Sequence, residues 1–277
     1  MPIGTQRKSY FLVSAGLIAG LFLTHAAPAA GLDDSGQSLC YNGTNTLVAC
    51  DAANTGDAAP YPGQDGRYGR DAAATAGALT KSGGGAAGFD FTRICNSGDA
   101  AGSGVCPAEP VLGPNPTNWG CTRDNTTGKT WEMKTDDGGL RDKEWTYAWY
   151  STDTATNGGD VGGAGSDTCG GTLSDYANQC NTANYITAVN AAPGLCGFTD
   201  WRLPSVRELQ TLIHYGATNP TIDTTYFPNT LASDFWSASS YGPSPANAWY
   251  VYFGDGIVDA FVKADGFHVR LVRGGQF

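Results

Sequence analysis

The chain has 277 residues, a formal net charge of −10 and only 15% charged residues. An acidic surface repels nucleic acid and anionic lipid, so we expect neither as a partner. The length allows one large domain or two small ones.

Residues 1–29 are typical of a secretory signal peptide. Arg7 and Lys8 precede an uncharged apolar stretch, and Ala27 and Ala29 provide the small-residue pattern that signal peptidase recognises. The apolar stretch is shorter than the roughly 20 residues of a membrane-spanning helix. We therefore expect cleavage after Ala29, no later membrane span, and a secreted, periplasmic or cell-surface location. Cleavage removes two basic residues and no acidic ones, so the net charge changes from −10 to −12.

All eight cysteines follow the cleavage site, and an even number in an exported protein indicates disulfides. The absence of a C-x-x-C motif argues against structural zinc, thioredoxin-type chemistry and attached haem. Many connectivities are possible. Short loops favour the two local pairs Cys40–Cys50 and Cys95–Cys106. For the other four cysteines we expect Cys169–Cys180 and Cys121–Cys196.

Residues 30–118 form a Gly/Ala/Asp-rich segment that contains no tryptophan. Because large aromatic rings supply much of the burial in a core, we expect the compact domain at residues 119–277, with the earlier segment wrapped around it in disulfide-closed loops. The tryptophans are Trp119, Trp131, Trp145, Trp149, Trp201, Trp236 and Trp249.

The second part has the pattern of an α+β fold with two helices. Asn181 or Thr182 can cap a helix that ends near residue 191. After a short strand at 201–203, Ser205 and Glu208 form a capping box that begins a second helix, which we expect to reach Gly216. Its apolar residues recur at helical spacing: Val206, Leu209, Leu212 and Ile213. We expect Trp201 and Leu203 of the preceding strand to pack beneath this helix, in contact with Leu209 and Leu212.

The C-terminal part has the alternation of a β-meander. Apolar residues 249, 251 and 253 alternate with two tyrosines, and residues 267, 269 and 271 alternate with a histidine and an arginine. Asp-Gly pairs at 255–256 and 265–266 are typical of hairpin turns. The polar faces of these strands, with the loop before them, are the candidate ligand-binding surface: Tyr241, Tyr250, Tyr252, His268 and Arg270. Exposed aromatic rings favour ligand binding; packing beneath a neighbouring loop is the alternative.

Other motifs are weaker. Residues 83–88 match G-x-G-x-x-G, but no apolar strand precedes them, so we interpret them as a loop. The acidic cluster at 136–143 could bind calcium, but its neighbouring cations favour a polar turn in which aspartates cap backbone N–H groups. We therefore assign no catalytic residue, no cofactor and no metal.

Several segments, in this order, resemble the Lcl C-terminal domain family, named for the tail domain of a bacterial collagen-like adhesin. They are TRDNTTG (122–128), WE (131–132), CGFTDWRLP (196–204), EL (208–209), FPNT (227–230), FWS (235–237), AWYV (248–251) and VRLVRGG (269–275). Residues 33–37 and 89–92 also resemble the leader found before such domains.

The resemblance implies a fold similar to C-type lectins, with two helices, a small antiparallel sheet and long loops. It also implies a surface or secreted binding role, which in the adhesin involves trimers and sulfated glycans. No collagen-like repeat precedes this domain, and its acidity disfavours a polyanion. We therefore predict a non-enzymatic module that binds a glycan or a surface protein; the alternatives are an enzyme acting on envelope glycans and a structural envelope protein.

Overall fold

The computed structural model describes residues 34–44, 47–50 and 63–275, so the expected signal peptide lies outside the described residues. The helices are α1 (Asp65–Tyr68), α2 (Arg70–Thr75), α3 (Thr182–Asn190) and α4 (Val206–Gln210). The strands are β1 (Leu39–Tyr41), β2 (Leu47–Ala49), β3 (Phe91–Cys95), β4 (Trp119–Asp124), β5 (Thr130–Glu132), β6 (Tyr147–Ala148), β7 (Asp234–Ser240), β8 (Asn247–Tyr252), β9 (Ile257–Val262), β10 (Gly266–Phe267) and β11 (Val272–Arg273).

The strands form small antiparallel sheets, which together with the helices confirm an α+β fold. One sheet has the order β11-β5-β4-β3 and another the order β7-β8-β9, while β1 pairs with β2 and β10 with β6. Strand β3 pairs with β4 with Ile94 opposite Cys121, so the Gly/Ala-rich segment contributes a strand to the sheet of the second part. The two parts of the chain therefore share one sheet across residue 118.

The starts of both predicted helices are confirmed. Asn181 caps α3 by accepting from the N–H of Asn184, and Ser205 and Glu208 form the capping box of α4. Helix α4 ends at Gln210, however, well before Gly216. The chain leaves it through tighter hydrogen bonds between residues three apart.

The expected packing of the segment before α4 against that helix is wrong. Trp201 and Leu203 belong to one buried cluster, around Tyr147, Trp149 and Trp236. Leu209 and Leu212 belong to a second cluster, around Trp131, Phe227, Phe235 and Phe253. The two apolar sets, which lie on either side of Pro204 in the sequence, therefore pack in different halves of the core. Residues 201–203 also form no strand; Arg202 makes one bridge to Val272.

The four expected disulfides are confirmed: Cys40–Cys50, Cys95–Cys106, Cys121–Cys196 and Cys169–Cys180. Structural disulfides persist in oxidising compartments outside the cytoplasm, so the four disulfides indicate an extracellular or secreted protein. None of the helices in the described ranges has the length and apolarity to cross a bilayer.

The predicted meander is only partly correct. Strands β7, β8 and β9 form it, and the turn at Asp255–Gly256 joins the last two. The segment after β9 instead passes from one sheet to another. Its residue His268 exchanges backbone hydrogen bonds with β7, whereas the carbonyl of Leu271 accepts from the N–H of Glu132 at 3.0 Å in β5. Residues 268–272, which we call the crossing segment, are all buried.

Candidate functional site

The three-stranded sheet β7-β8-β9 carries the candidate surface. Trp236 lies opposite Tyr250, and Tyr250 lies opposite Asp259 on the edge strand β9. Because side chains alternate along a strand and directly opposed residues share a face, Tyr250 and Tyr252 project from one face of the sheet. Phe261, opposite Ala248, is on that same face.

Phe267 joins these side chains into an aromatic cluster. Its ring stacks on Trp236 with centroids 4.3 Å apart and on Phe261 at 5.5 Å, and it meets Tyr250 edge-on at 5.1 Å. Trp236 is fully buried, whereas 45% of Phe261 is exposed. The cluster therefore extends from the core to the solvent. Tyr252 projects from the same face of the sheet. We call Tyr252 and the accessible rings of the cluster the aromatic face: Tyr250, Tyr252, Phe261 and Phe267.

Carboxylates border the aromatic face. Burial raises the pKa of Tyr250, and the nearby charges of Asp234 and Asp259 raise it further; burial also raises the pKa of Asp234. Strands β7, β8 and β9 contain no Lys, Arg or His. Lys263, just after β9, is buried and donates to the carbonyl oxygens of Asn157 and Asp160, each at 2.7 Å. The face is thus aromatic and acidic.

Tyr241 does not join this face. Its ring meets the ring of Trp249 edge-on, with centroids 5.0 Å apart. Because Trp249 alternates with Tyr250 along β8, Trp249 projects from the opposite face of the sheet, and Tyr241 lies there with it. Tyr252 remains on the aromatic face at the end of β8, where its ring lies against Gly254. The structure therefore brings together only two of the three tyrosines that the sequence indicated.

The predicted solvent exposure of His268 is wrong. The residue is 8% exposed, its ring nitrogen Nδ1 lies 3.1 Å from the carbonyl oxygen of Trp145, and its ring packs against Phe235. Burial, with the nearby charge of Lys134, lowers its pKa. His268 is thus a neutral core histidine at neutral pH, away from the aromatic face.

The predicted exposure of Arg270 is also wrong, since its side chain is 0% exposed. It donates to the carbonyl oxygen of Glu132 at 2.6 Å and to the hydroxyl of Thr230 at 2.7 Å, and its guanidinium lies over Phe227. Burial lowers the pKa of Arg270 to about 10. Alternation alone predicted a polar outer face here, but the crossing segment has protein on both sides, so the polar partners of His268 and Arg270 are protein atoms. The Nε of Arg270 has no hydrogen-bond partner among the described residues.

The most exposed residue of the aromatic face, Phe261, was not among the residues that the sequence indicated. A signal was present, because Ile257, Asp259 and Phe261 alternate with smaller residues along β9. Its neighbour Val262 is equally exposed, at 45%, but projects from the opposite face. Exposed apolar side chains on an edge strand are features that proteins usually avoid, which makes their presence informative.

A groove lies between α3 and the loop at 135–141. This open groove has a volume of about 430 Å³ and is lined by Asn96, Thr135, Asp137, Arg141 and apolar residues that include Val189. Asp137 accepts from Thr135 and from the backbone N–H of Gly139, both within the loop. Among the described lining residues it is the one carboxylate.

The acidic cluster at 136–143 forms a polar turn, as expected. Asp142 accepts from the N–H groups of Asp137, Gly138 and Glu144, and Lys143 donates to Asp136 at 2.9 Å. Burial opposes ionisation of Asp142, but these N–H donors hold its pKa below the usual value. Its carboxylate oxygens are therefore occupied by the backbone.

Several of the quoted motif residues stabilise the fold rather than form a site. Arg202 makes a two-pronged pair with Glu208, both contacts at 2.8 Å. Arg273 pairs with Asp200 at 2.7 Å and lies 3.6 Å over the ring of Phe198. The first pair joins the segment before α4 to that helix, and the second joins the same segment to β11.

Similarity to known proteins covers the domain that carries this surface. The sequence-family model of the Lcl C-terminal domain matches residues 120–273. This range is more than half of the chain and includes the aromatic face. No curated protein and no solved structure matches the chain significantly. The chain therefore belongs to the Lcl C-terminal domain family.

Proposed function

We propose that this protein is an extracellular binding module that takes a neutral glycan on the aromatic face. The observation that carries the proposal is the stacking of Phe267 on both Trp236 and Phe261, which holds exposed rings on a rigid base. Rings held in this way contact a ligand with little loss of conformational entropy.

The chemistry of the face suits a sugar. The planar rings of Tyr250 and Phe261 offer apolar surface to the C–H groups of a pyranose. The carboxylate of Asp259 and the phenol of Tyr252 offer hydrogen bonds to its hydroxyl groups. A few placed polar groups beside aromatic surface are characteristic of small-ligand sites.

The charge of the face favours a neutral ligand over a sulfated one. Asp234 and Asp259 lie beside Tyr250, and Lys263 is held in the interior. An anionic polymer gains affinity for a protein by contact with exposed cations. Strands β7–β9 offer none, and the whole chain carries a net charge of −10.

We retain the two alternative functions as hypotheses that the observations favour less. Glycoside hydrolysis generally needs two carboxyl groups across a cleft, and the groove beside α3 offers Asp137 alone among its described lining residues. A purely structural envelope role does not account for an exposed aromatic cluster. We further propose that the domain is a variant of the C-type-lectin-like fold, which its two helices, small antiparallel sheets and long loops support.

The test is a screen of neutral and acidic oligosaccharides, followed by calorimetric titration of the best ligand. Phe261→Ala should weaken binding about fivefold or more, because it removes the most exposed ring of the aromatic face. Val262→Ala is the matched control, since this neighbour is equally exposed but on the other face. Equal affinities of both variants and the unmodified protein would overturn the proposal, as would failure to bind any neutral glycan.

A further inference from the structure

Three carboxylates converge outside the region of the family match. Asp34 lies at the start of the described chain, Asp65 begins α1 and Asp71 lies in α2. One oxygen of each side chain lies within 4.8 Å of the corresponding oxygens of the other two. Three separate segments of the chain thus bring negative charge to one point.

Two of these side chains are buried with an oxygen that has no donor. Asp34 is 6% exposed and Asp71 is 1% exposed. The N–H of Gly88 donates to one oxygen of each, at 2.5 Å to Asp34 and 3.3 Å to Asp71. Within the described ranges, no N–H or O–H group reaches the other two oxygens, Asp34 Oδ1 and Asp71 Oδ2. Buried polar atoms in proteins nearly always have a partner, so these two indicate a missing one.

Among the described residues, no cationic side chain pairs with the carboxylates of this cluster. No ion pair between described residues includes Asp34, Asp65 or Asp71. The side chain of Arg70, next to Asp71, donates instead to the carbonyl oxygen of Gly88 at 3.0 Å.

We propose that Asp34, Asp65 and Asp71 form a calcium-binding site. Carboxylate oxygens are the ligands that hard divalent cations prefer, and Ca²⁺ accepts about six to eight oxygens in flexible geometry. Magnesium retains more of its own water and requires stricter octahedral geometry, so it suits a dedicated carboxylate cluster less well. The partly exposed Asp65 provides the open side through which an ion enters and water completes its coordination.

The position of the site gives the ion a structural role. The carbonyl oxygen of Ser35, next to Asp34, accepts a hydrogen bond from the N–H of Tyr215 at 2.8 Å, and the Ser35 hydroxyl donates to Asp65. A Cβ at Gly88 would clash with Asp34 Oδ2, so glycine is required for this close approach. A bound ion would therefore fasten the first described segment, α1, α2 and the Gly88 loop to the family domain.

Calorimetric titration of the metal-free mature protein with CaCl₂, together with thermal unfolding in calcium or EDTA, tests the site. We expect one site with a dissociation constant on the order of 10⁻⁴ to 10⁻³ M and a rise of several degrees in Tm. Titration with MgCl₂ should give clearly weaker binding. Absence of both a binding heat and a Tm shift at millimolar calcium would overturn the proposal, and would leave a proton shared by Asp34 and Asp71 as the missing partner.

Variants locate the site. Asp71→Asn should abolish the calcium response, and Asp65→Asn, at the more accessible position, should weaken it at least tenfold even if the first variant folds poorly. Asp167→Asn is the matched control, because Asp167 is the acidic member of the other close cluster, whose cysteine sulfurs are already joined in a disulfide. A response in Asp65→Asn and Asp71→Asn equal to that of the unmodified protein would place calcium elsewhere and refute the assignment. Neither outcome depends on glycan binding, so this proposal and the proposed function can fail separately.

Discussion

The ammonium of Lys134 lies 3.3 Å from the carboxylate of Glu132, and both side chains are completely enclosed, at 1% and 0% exposure. Lys134 also donates to the hydroxyl of Tyr185 at 3.0 Å, and that hydroxyl donates to the same carboxylate. The N–H of Leu271 donates to the second oxygen of Glu132 at 2.9 Å. Burial lowers the pKa of Lys134, while the charge of Glu132 opposes this change. The pair therefore joins β5, α3 and the crossing segment.

Removal of one member of this pair should be strongly destabilising. We predict that Glu132→Gln lowers the free energy of unfolding by about 3–5 kcal/mol, because Lys134 is left as a buried charge without compensation. Urea denaturation of the variant measures the change. The double variant Glu132→Gln/Lys134→Met should lose less than the sum of the single variants. Strictly additive losses would mean that the two groups do not interact in solution.

The pair between Arg202 and Glu208 should make stability sensitive to acid. Burial opposes ionisation of Glu208, but the hydrogen bonds from Arg202 and from the N–H of Ser205 hold its pKa below the ordinary value of 4.5. A carboxyl group with a depressed folded-state pKa stabilises the protein above its unfolded-state pKa, and that contribution is lost as pH falls through the folded-state value.

We therefore predict that Glu208→Gln costs about 1–3 kcal/mol at neutral pH and progressively less below pH 4.5. Denaturant melts of both proteins across this range measure the difference. Glu144→Gln is the control, because Glu144 makes only a 3.8 Å surface contact with Lys143 and should change stability little at any pH. A difference for Glu208→Gln that stays constant with pH would contradict this account.

The buried face of α4 gives a packing prediction. Leu209 is fully buried in the second core cluster, whereas the adjacent Gln210 is exposed. Leu209→Ala should lower the free energy of unfolding by about 2–5 kcal/mol, because it leaves a cavity. Gln210→Ala should change it by less than about 0.5 kcal/mol. Similar effects of the two substitutions in urea melts would show that α4 is oriented differently.

Salt dependence should distinguish this protein from a binder of sulfated glycans. Binding on the aromatic face should vary little between low and moderate ionic strength, since it depends on ring contact rather than counterion release. The measurement is a titration of heparin and of a neutral oligosaccharide at two salt concentrations. Tight heparin binding that disappears at the higher concentration would reveal a basic surface that the net charge conceals.

Features encoded locally were predictable from the amino-acid sequence. The caps at Asn181 and Ser205 depend on side chains only a few residues from the N–H groups that they satisfy, so the starts of α3 and α4 followed directly. The three local disulfide loops are similarly short-range, with the paired cysteines 10 or 11 positions apart. The family pattern, the net charge and the expected export signal are likewise properties of the linear sequence.

Burial of the C-terminal residues depended on the tertiary structure. Period-two alternation specifies which side chains share a face, but not whether water or another element covers that face. His268 and Arg270 alternate with apolar neighbours as they would at a surface, yet the segment crosses between two sheets and both of its sides are enclosed. In the same way, Phe261 became part of a surface only when Phe267 was brought beside it from β10. Such contacts join residues through space rather than along the chain, so they arise only when the sheets come together.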